Sequence, residues 1–160
     1  MTLHRPALVN DSILLAATVR ALERLSERYP VVFPVHPRTR ARIEALAGEE
    51  QPRGTRFRLV GPLGYLAFLG LQASARFVLT DSGGVQEETS ALGVQCFTLR
   101  DSTERPVTVT HGTNTILGAR PERIAEIPGL LRSEPVGEIP LWDGSAGPRA
   151  ATVLLEYLDS

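Results

Sequence analysis

Five short runs of β-branched and aromatic residues, Val31–Phe33, Phe57–Val60, Phe77–Thr80, Cys96–Leu99 and Thr115–Leu117, alternate with segments of helical character. A strand followed by a helix of about ten residues returns most readily beside a parallel neighbour, so this alternation constrains the chain more than any other feature. It predicts an α/β fold with a Rossmann-like, doubly wound parallel sheet. The first helix is expected from Asn10 to Arg28, where Leu15, Val19, Leu22 and Leu25 form a stripe, Asn10, Asp11 and Ser12 offer caps, and Pro30 closes the segment. Further helices are expected from Pro37 to about Ala47 with Gly48 as the stop, Tyr65 to Ala73, Gln86 to Leu92, Pro121 to about Arg132, and Ala150 to Leu158. Arg100 to Thr113 reads as a loop.

At 160 residues one domain is expected, with 134–160 an irregular crossing segment and a terminal helix, since Pro135–Pro148 holds three prolines and three glycines. Thr2-Leu3 reads as the end of a strand with almost no strand before it, and suggests either that the chain is half of something longer or that its start has been cut close.

Composition narrows the chemistry. A formal charge of -1 and a pI near 6.3 leave no electrostatic footprint for nucleic acid. All 17 basic residues are Arg, which rules out a Walker A lysine and a Schiff-base lysine. Any phosphate site must therefore use guanidinium forks and backbone N–H groups. Cys96 is the one cysteine, and the chain shows neither a leader pattern nor a membrane-length apolar run, so a cytoplasmic setting without a membrane partner is expected. His4, His36 and His111 lack metal-ligand spacing, and no G-x-G-x-x-G follows a strand, so neither a metal nor a cofactor is expected.

The candidate chemistry lies in "TDSGGVQEE". In an open parallel sheet, ligands bind outside the carboxyl ends of strands, at helix N-termini. There Ser82, Gly83 and Gly84 would present successive N–H groups with no bulk, and the helix dipole would add roughly 0.3–1 kcal/mol for an anion. The competing reading is that Ser82 caps the helix and the glycines only make the turn. Glu87 and Glu88, one turn further, either favour the helix start or accept hydrogen bonds from ribose hydroxyls. In the next loop, Arg100-Asp101-Ser102-Thr103-Glu104-Arg105, the arginines either wrap a diphosphate or are neutralised by Asp101 and Glu104. Tyr65 and Phe68 share a helix face, which spacing alone assigns to core, although either could stack on a base near a nucleotide.

In order, "TLHRP", "PVHPRT", "GPLGYLAFLGL", "TDSGGVQEETSALG", "LRDSTERP", "GTN" and "LWDGSAGPR" closely resemble the C-terminal half of the non-hydrolysing UDP-N-acetylglucosamine 2-epimerases. The resemblance covers essentially the whole chain and implies a glycosyltransferase-B-type C-terminal domain that holds UDP. Carried onto matching positions, it implies that Ser82, Gly83 and Gly84 bind the diphosphate, Glu88 the ribose, and Phe68, with Tyr65 nearby, the uracil. Thr103, Glu104 and Arg105 would sit at the diphosphate and sugar side, and His4 would face the reacting sugar, with Glu104 and Arg105 counted with it as catalytic. His36, Arg5 and Arg100 would lie in the cleft, where the family also binds a regulatory UDP-sugar.

The family interconverts UDP-N-acetylglucosamine and UDP-N-acetylmannosamine by eliminating and re-adding UDP, with acid and base carboxylates mainly from the N-terminal half. The expected partners are thus UDP or UDP-N-acetylglucosamine, that missing half, and a second copy in a homodimer. The isolated chain is expected to bind UDP weakly without turnover. Val107 stands where the common family version has Glu, which leaves the sugar open. A nucleotide-sugar glycosyltransferase C-domain and a non-catalytic UDP-sugar-binding module are the alternatives.

Overall fold

The computed structural model describes residues 1–47, 56–133 and 139–159. Its strands form two parallel ladders: β1 (Val31–Pro34) with β2 (Phe57–Val60), and β3 (Val78–Thr80) with β4 (Cys96–Thr98) and β5 (Asn114–Ile116) in the order β3-β4-β5. The stub Met1–Leu3 joins them. Thr2 forms a parallel bridge to Thr80 and donates its N–H to Leu79 O at 3.0 Å, while the Met1 amine donates to Val32 O at 2.7 Å. The stub therefore lies between β1 and β3. Counted as the first strand, it makes the order 3-2-1-4-5-6, that of a doubly wound dinucleotide-type sheet, with its switch point between stub and β3.

The helices are α1 (Pro6–Val9), α2 (Ser12–Ser26), α3 (Pro37–Ala47), α4 (Tyr65–Ala73), α5 (Gly83–Ala91), α6 (Pro106–Thr110), a 3-10 turn at Pro121–Glu126, α7 (Ile127–Leu130) and α8 (Ala146–Leu158). Asp11 caps α2 by accepting from Ile13 N and Leu14 N, and the stripe Leu15, Leu22, Leu25 is buried together with Ala21 and Thr18. These residues pack with Phe33, Phe97, Leu99, Leu117, Ile124 and Ile127 into the main core. Tyr29, Phe77 and Phe97 form an edge-to-face chain with centroids 5.4 and 5.8 Å apart. Cys96 lies in β4, where burial pushes its thiol up to about 11; it is packing rather than a nucleophile.

Several element limits differ from expectation. The segment expected as the loop Arg100–Thr113 contains α6, and Pro6–Val9 forms an unexpected turn of helix after the stub. The expected helix from Pro121 to about Arg132 is a 3-10 turn followed by the short α7, and α5 starts three residues before Gln86, at Gly83. The terminal helix begins at Ala146 rather than Ala150, and β5 at Asn114 rather than Thr115. Gly48 and residues 134–138 of the crossing segment lie outside the described residues.

An apolar cavity of about 360 Å³ opens beside Met1, Val31, Val32, Phe77, Val78 and Leu79. It belongs to the amino ends of the strands, opposite the edge where a doubly wound sheet binds ligands. None of the residues of α8 is buried, and Val153, Leu154, Leu155 and Leu158 are exposed along it. Among the described residues no helix is long and apolar enough to cross a membrane.

Phe97 is fully buried at the centre of the longer ladder and touches the aromatic ring of Phe77. Phe97→Ala is expected to cost about 3–5 kcal/mol, read as a lower urea midpoint with little change in slope.

Candidate functional site

The stub, β3 and β4 end at one edge of the sheet, and the chemistry-bearing side chains converge there. Asp81 follows β3 directly and its side chain is 1% exposed. Its carboxylate accepts from His4 N at 3.1 Å and from Arg5 N at 2.8 Å, and the imidazole Nδ1 of His4 lies 3.1 Å from Oδ1. A buried carboxylate needs such donors, and these draw His4 and Arg5 to the start of α5.

Ser82 occupies the N-cap of α5 in extended backbone, but its side chain does not cap the helix; its N–H donates instead to Thr80 Oγ1 at 3.0 Å. Ser82 thus holds the N-cap position without a side-chain cap bond, and among the described residues no side chain accepts from the first-turn N–H groups of α5. Gly83 is buried against the next loop: a Cβ there would lie 2.6 Å from Glu104 Oε1, whereas Gly84 faces open space. Neither glycine has positive φ. Gly83 brings the backbone close to the Glu104 side-chain tip; its backbone conformation does not demand glycine.

Glu104 is gripped from two sides. Arg5 Nη2 reaches Oε1 at 2.8 Å and Arg100 Nη1 reaches Oε2 at 2.7 Å. Its own backbone N–H, then the Arg100 guanidinium, hold its carboxyl below the usual carboxylate range. Arg105 pairs with Glu87 at 3.3 Å. Of the two readings of this loop, the geometry shows the arginines paired, with Glu104 and Glu87; Asp101 accepts from Ala119 N instead.

Buried amides fix the loop from beneath. Gln86 Oε1 accepts from Thr103 Oγ1 and from Asn114 Nδ2, and Asn114 in turn contacts Thr98 Oγ1 at 2.7 Å and Thr108 Oγ1 at 3.2 Å. Thr103 Oγ1 also accepts from Arg105 N at 3.0 Å. Gln72 of α4 donates to Glu88 at 2.6 Å. Asp81, Gln72, Gln86 and Asn114 escape a reading along the sequence because their partners lie 16 to 77 residues away; a buried-type helix position occupied by Gln is the only local signal.

The remaining expected residues divide. Phe68 packs against Val78, Val85 and Val94 in a satellite core beside α5, as its spacing suggested, whereas Tyr65 stands 64% exposed at the start of α4. His36, at the carboxyl end of β1, accepts from Arg38 N through Nδ1 and starts α3. His111 is exposed and contacts Thr110 Oγ1. Among the described residues, no three of His, Cys, Asp and Glu gather to hold a metal ion.

A family profile described as UDP-N-acetylglucosamine 2-epimerase matches residues 1–155. A UDP-N-acetylglucosamine 2-epimerase of Methanococcus maripaludis is 35% identical over 92% of this chain and 41% of its own length. A UDP-2,3-diacetamido-2,3-dideoxy-D-glucuronate 2-epimerase of Pseudomonas aeruginosa is 36% identical over 98% of this chain and 43% of its own. The Methanocaldococcus jannaschii UDP-GlcNAc 2-epimerase solved with UDP-GlcNAc and UDP superimposes with a TM-score of 0.81 at 36% identity, covering 97% of this chain and 44% of that one. The chain thus spans less than half the length of the relatives it matches.

A carboxyl held low contributes stability that is complete above its unfolded value and lost as pH falls through its folded value. The Arg5–Glu104–Arg100 clamp is therefore expected to open only below the usual glutamate value of about 4.3. The Glu104 carboxyl carbon shift, followed by NMR through acid titration, should show a midpoint under that value.

Proposed function

The chain belongs to the UDP-N-acetylglucosamine 2-epimerase family, and from that premise we propose that it is the UDP-holding C-terminal half of such an enzyme. The observation that carries this is the uncapped start of α5 at the switch point, ringed by Arg5, Arg100 and Arg105. A diphosphate placed there would accept from the N–H groups of Ser82, Gly83 and Gly84 and take guanidinium donors from Arg105 and the clamp arginines. Glu88, steadied by Gln72 one turn inside the helix, is positioned for ribose hydroxyls. Phe68, half-buried beside α5, with Tyr65 exposed nearby at the start of the same helix, is the aromatic assigned to uracil. Thr103 and Glu104 line the diphosphate and sugar side, His4 faces the reacting sugar, and His36 belongs to the cleft.

The proposed reaction expels UDP and re-adds it after a proton at C2 is lost. Expelling UDP needs charge stabilisation on the diphosphate, which this edge supplies. Removing a weakly acidic proton needs a free carboxylate, and here each nearby one is engaged: Asp81 by His4 and Arg5, Glu104 by Arg5 and Arg100, Glu87 by Arg105, and Glu88 by Gln72. The base belongs to the other half of the enzyme, so this chain is a single UDP-binding domain that does not epimerise alone. Its exposed α8 is a surface for that half or for a second copy, and the whole acts in the cytoplasm on nucleotide sugars for polysaccharide synthesis.

Titration with UDP to millimolar concentration should move the amide signals of Ser82, Gly83 and Gly84 in the purified 160-residue chain; unmoved signals would refute the site. The same chain should give no UDP-N-acetylmannosamine from UDP-N-acetylglucosamine in a sugar-nucleotide chromatography assay. Gly83→Ala separates site from fold. Alanine at this helical position recovers up to about 1 kcal/mol of propensity, offsetting the displacement of the flexible Glu104 tip. Stability should stay within about 1 kcal/mol, while UDP affinity falls about tenfold or more, the equivalent of about 1.4 kcal/mol lost from the anion site.

A further inference from the structure

We infer that Asp81 is a positioning residue that fixes the tautomer of His4, so that the imidazole presents an unprotonated Nε2 to the cleft. The inference rests on the proposed function for the role of His4, but its geometry stands independently. Imidazole Nδ1 lies 3.1 Å from Asp81 Oδ1, and the carboxylate is buried while the imidazole is 56% exposed. Asp81 also accepts from the backbone N–H groups of His4 and Arg5, so its oxygens are surrounded by donors and can offer nothing but lone pairs to the ring. Nδ1 must then carry the ring proton. In a neutral imidazole the other nitrogen is left as acceptor, and it lies on the side of the ring turned from Asp81 toward solvent.

The backbone contacts make the arrangement rigid. His4 cannot swing away without also withdrawing its own N–H from the same carboxylate, so one buried group sets both the position of residue 4 and the orientation of its ring. No other carboxylate is recorded against this imidazole among the described residues; the nearby Glu104 is occupied by Arg5 and Arg100. A His4 so held can accept a proton at Nε2 from a sugar hydroxyl or, once charged, return one to the diphosphate side. Neither act is open to the opposite tautomer without a ring flip that would break the Asp81 contact.

The test is the imidazole nitrogen spectrum of the uniformly ¹⁵N-labelled 160-residue chain, recorded near pH 8, above the ordinary histidine titration at about 6.5. His4 should show the Nδ1–H form in about tenfold excess or more, as expected where Nδ1 lies 3.1 Å from a charged acceptor. His36 and His111 serve as internal references. A His4 spectrum dominated by Nε2–H would overturn the inference outright, with no variant needed. Asp81→Asn, which can turn an NH₂ toward Nδ1, should erase the excess; an unchanged tautomer in a folded Asp81→Asn would also overturn it. UDP titration of the same sample keeps the two claims apart. A correct tautomer with no UDP response would sink the nucleotide reading and leave the Asp81–His4 pair standing, and the reverse outcome would do the opposite.

Discussion

The stub Met1–Leu3 hydrogen-bonds to Val32 on one side and to Leu79 on the other, and the site exists because of that placement. Without it the chain would hold two separate parallel ladders. With it, the strand order reverses between the stub and β3, and a crevice is left at the carboxyl ends where successive crossovers depart to opposite faces. His4 and Arg5 leave the stub at that crevice, and Asp81 and Ser82 leave β3 there. The buried Asp81 carboxylate then ties the two exits together through backbone N–H groups. Topology and local chemistry meet in one side chain.

The alternation of strand and helix was legible because each element buries one face, and burial writes a period into the sequence. The errors fall where period and propensity are weak or opposed. Pro106-Val107-Thr108-Val109-Thr110 is rich in β-branched residues, yet forms α6, because Pro106 sits at the helix start and buried Thr108 hydrogen-bonds to Arg105 O and to Asn114. Tertiary contact overrides propensity there. The early start of α5 was hidden for a related reason: Gly83 and Gly84 are poor helix formers, yet they occupy its first turn, Gly83 close to the Glu104 tip. For the 3-10 winding of Pro121–Glu126 we have no physical account beyond Arg123, which holds the carbonyls of Ile116 and Leu117.

The candidate site was legible in its first layer and opaque in its second. A strand followed by Ser-Gly-Gly and a helix declares itself locally, since the mechanism is local. Gln86, Asn114 and Thr103 do not, because a buried polar network is defined by partners brought together only by folding. The same holds for Asp81: its place in "TDSGG" can be read, but not the fact that its donors come from residues 4 and 5.

The ion pairs of the candidate site bear on how tightly it could hold an anion. Arg5 and Arg100 are each already paired with Glu104, and Arg105 with Glu87, so an arriving diphosphate would replace an existing partner rather than find free cations. Such an exchange gains only the difference between two charge-assisted contacts, and the displaced carboxylate must be turned out to water. The exposure of these pairs keeps each of them weak, so the exchange is not prohibitive. The net expectation is modest affinity for an anion, with a polarised set of donors already assembled beside the start of α5. A second half closing over the edge would exclude water and strengthen every one of those contacts without adding a new one. A surface closing over this edge would therefore raise affinity through desolvation rather than through new contacts.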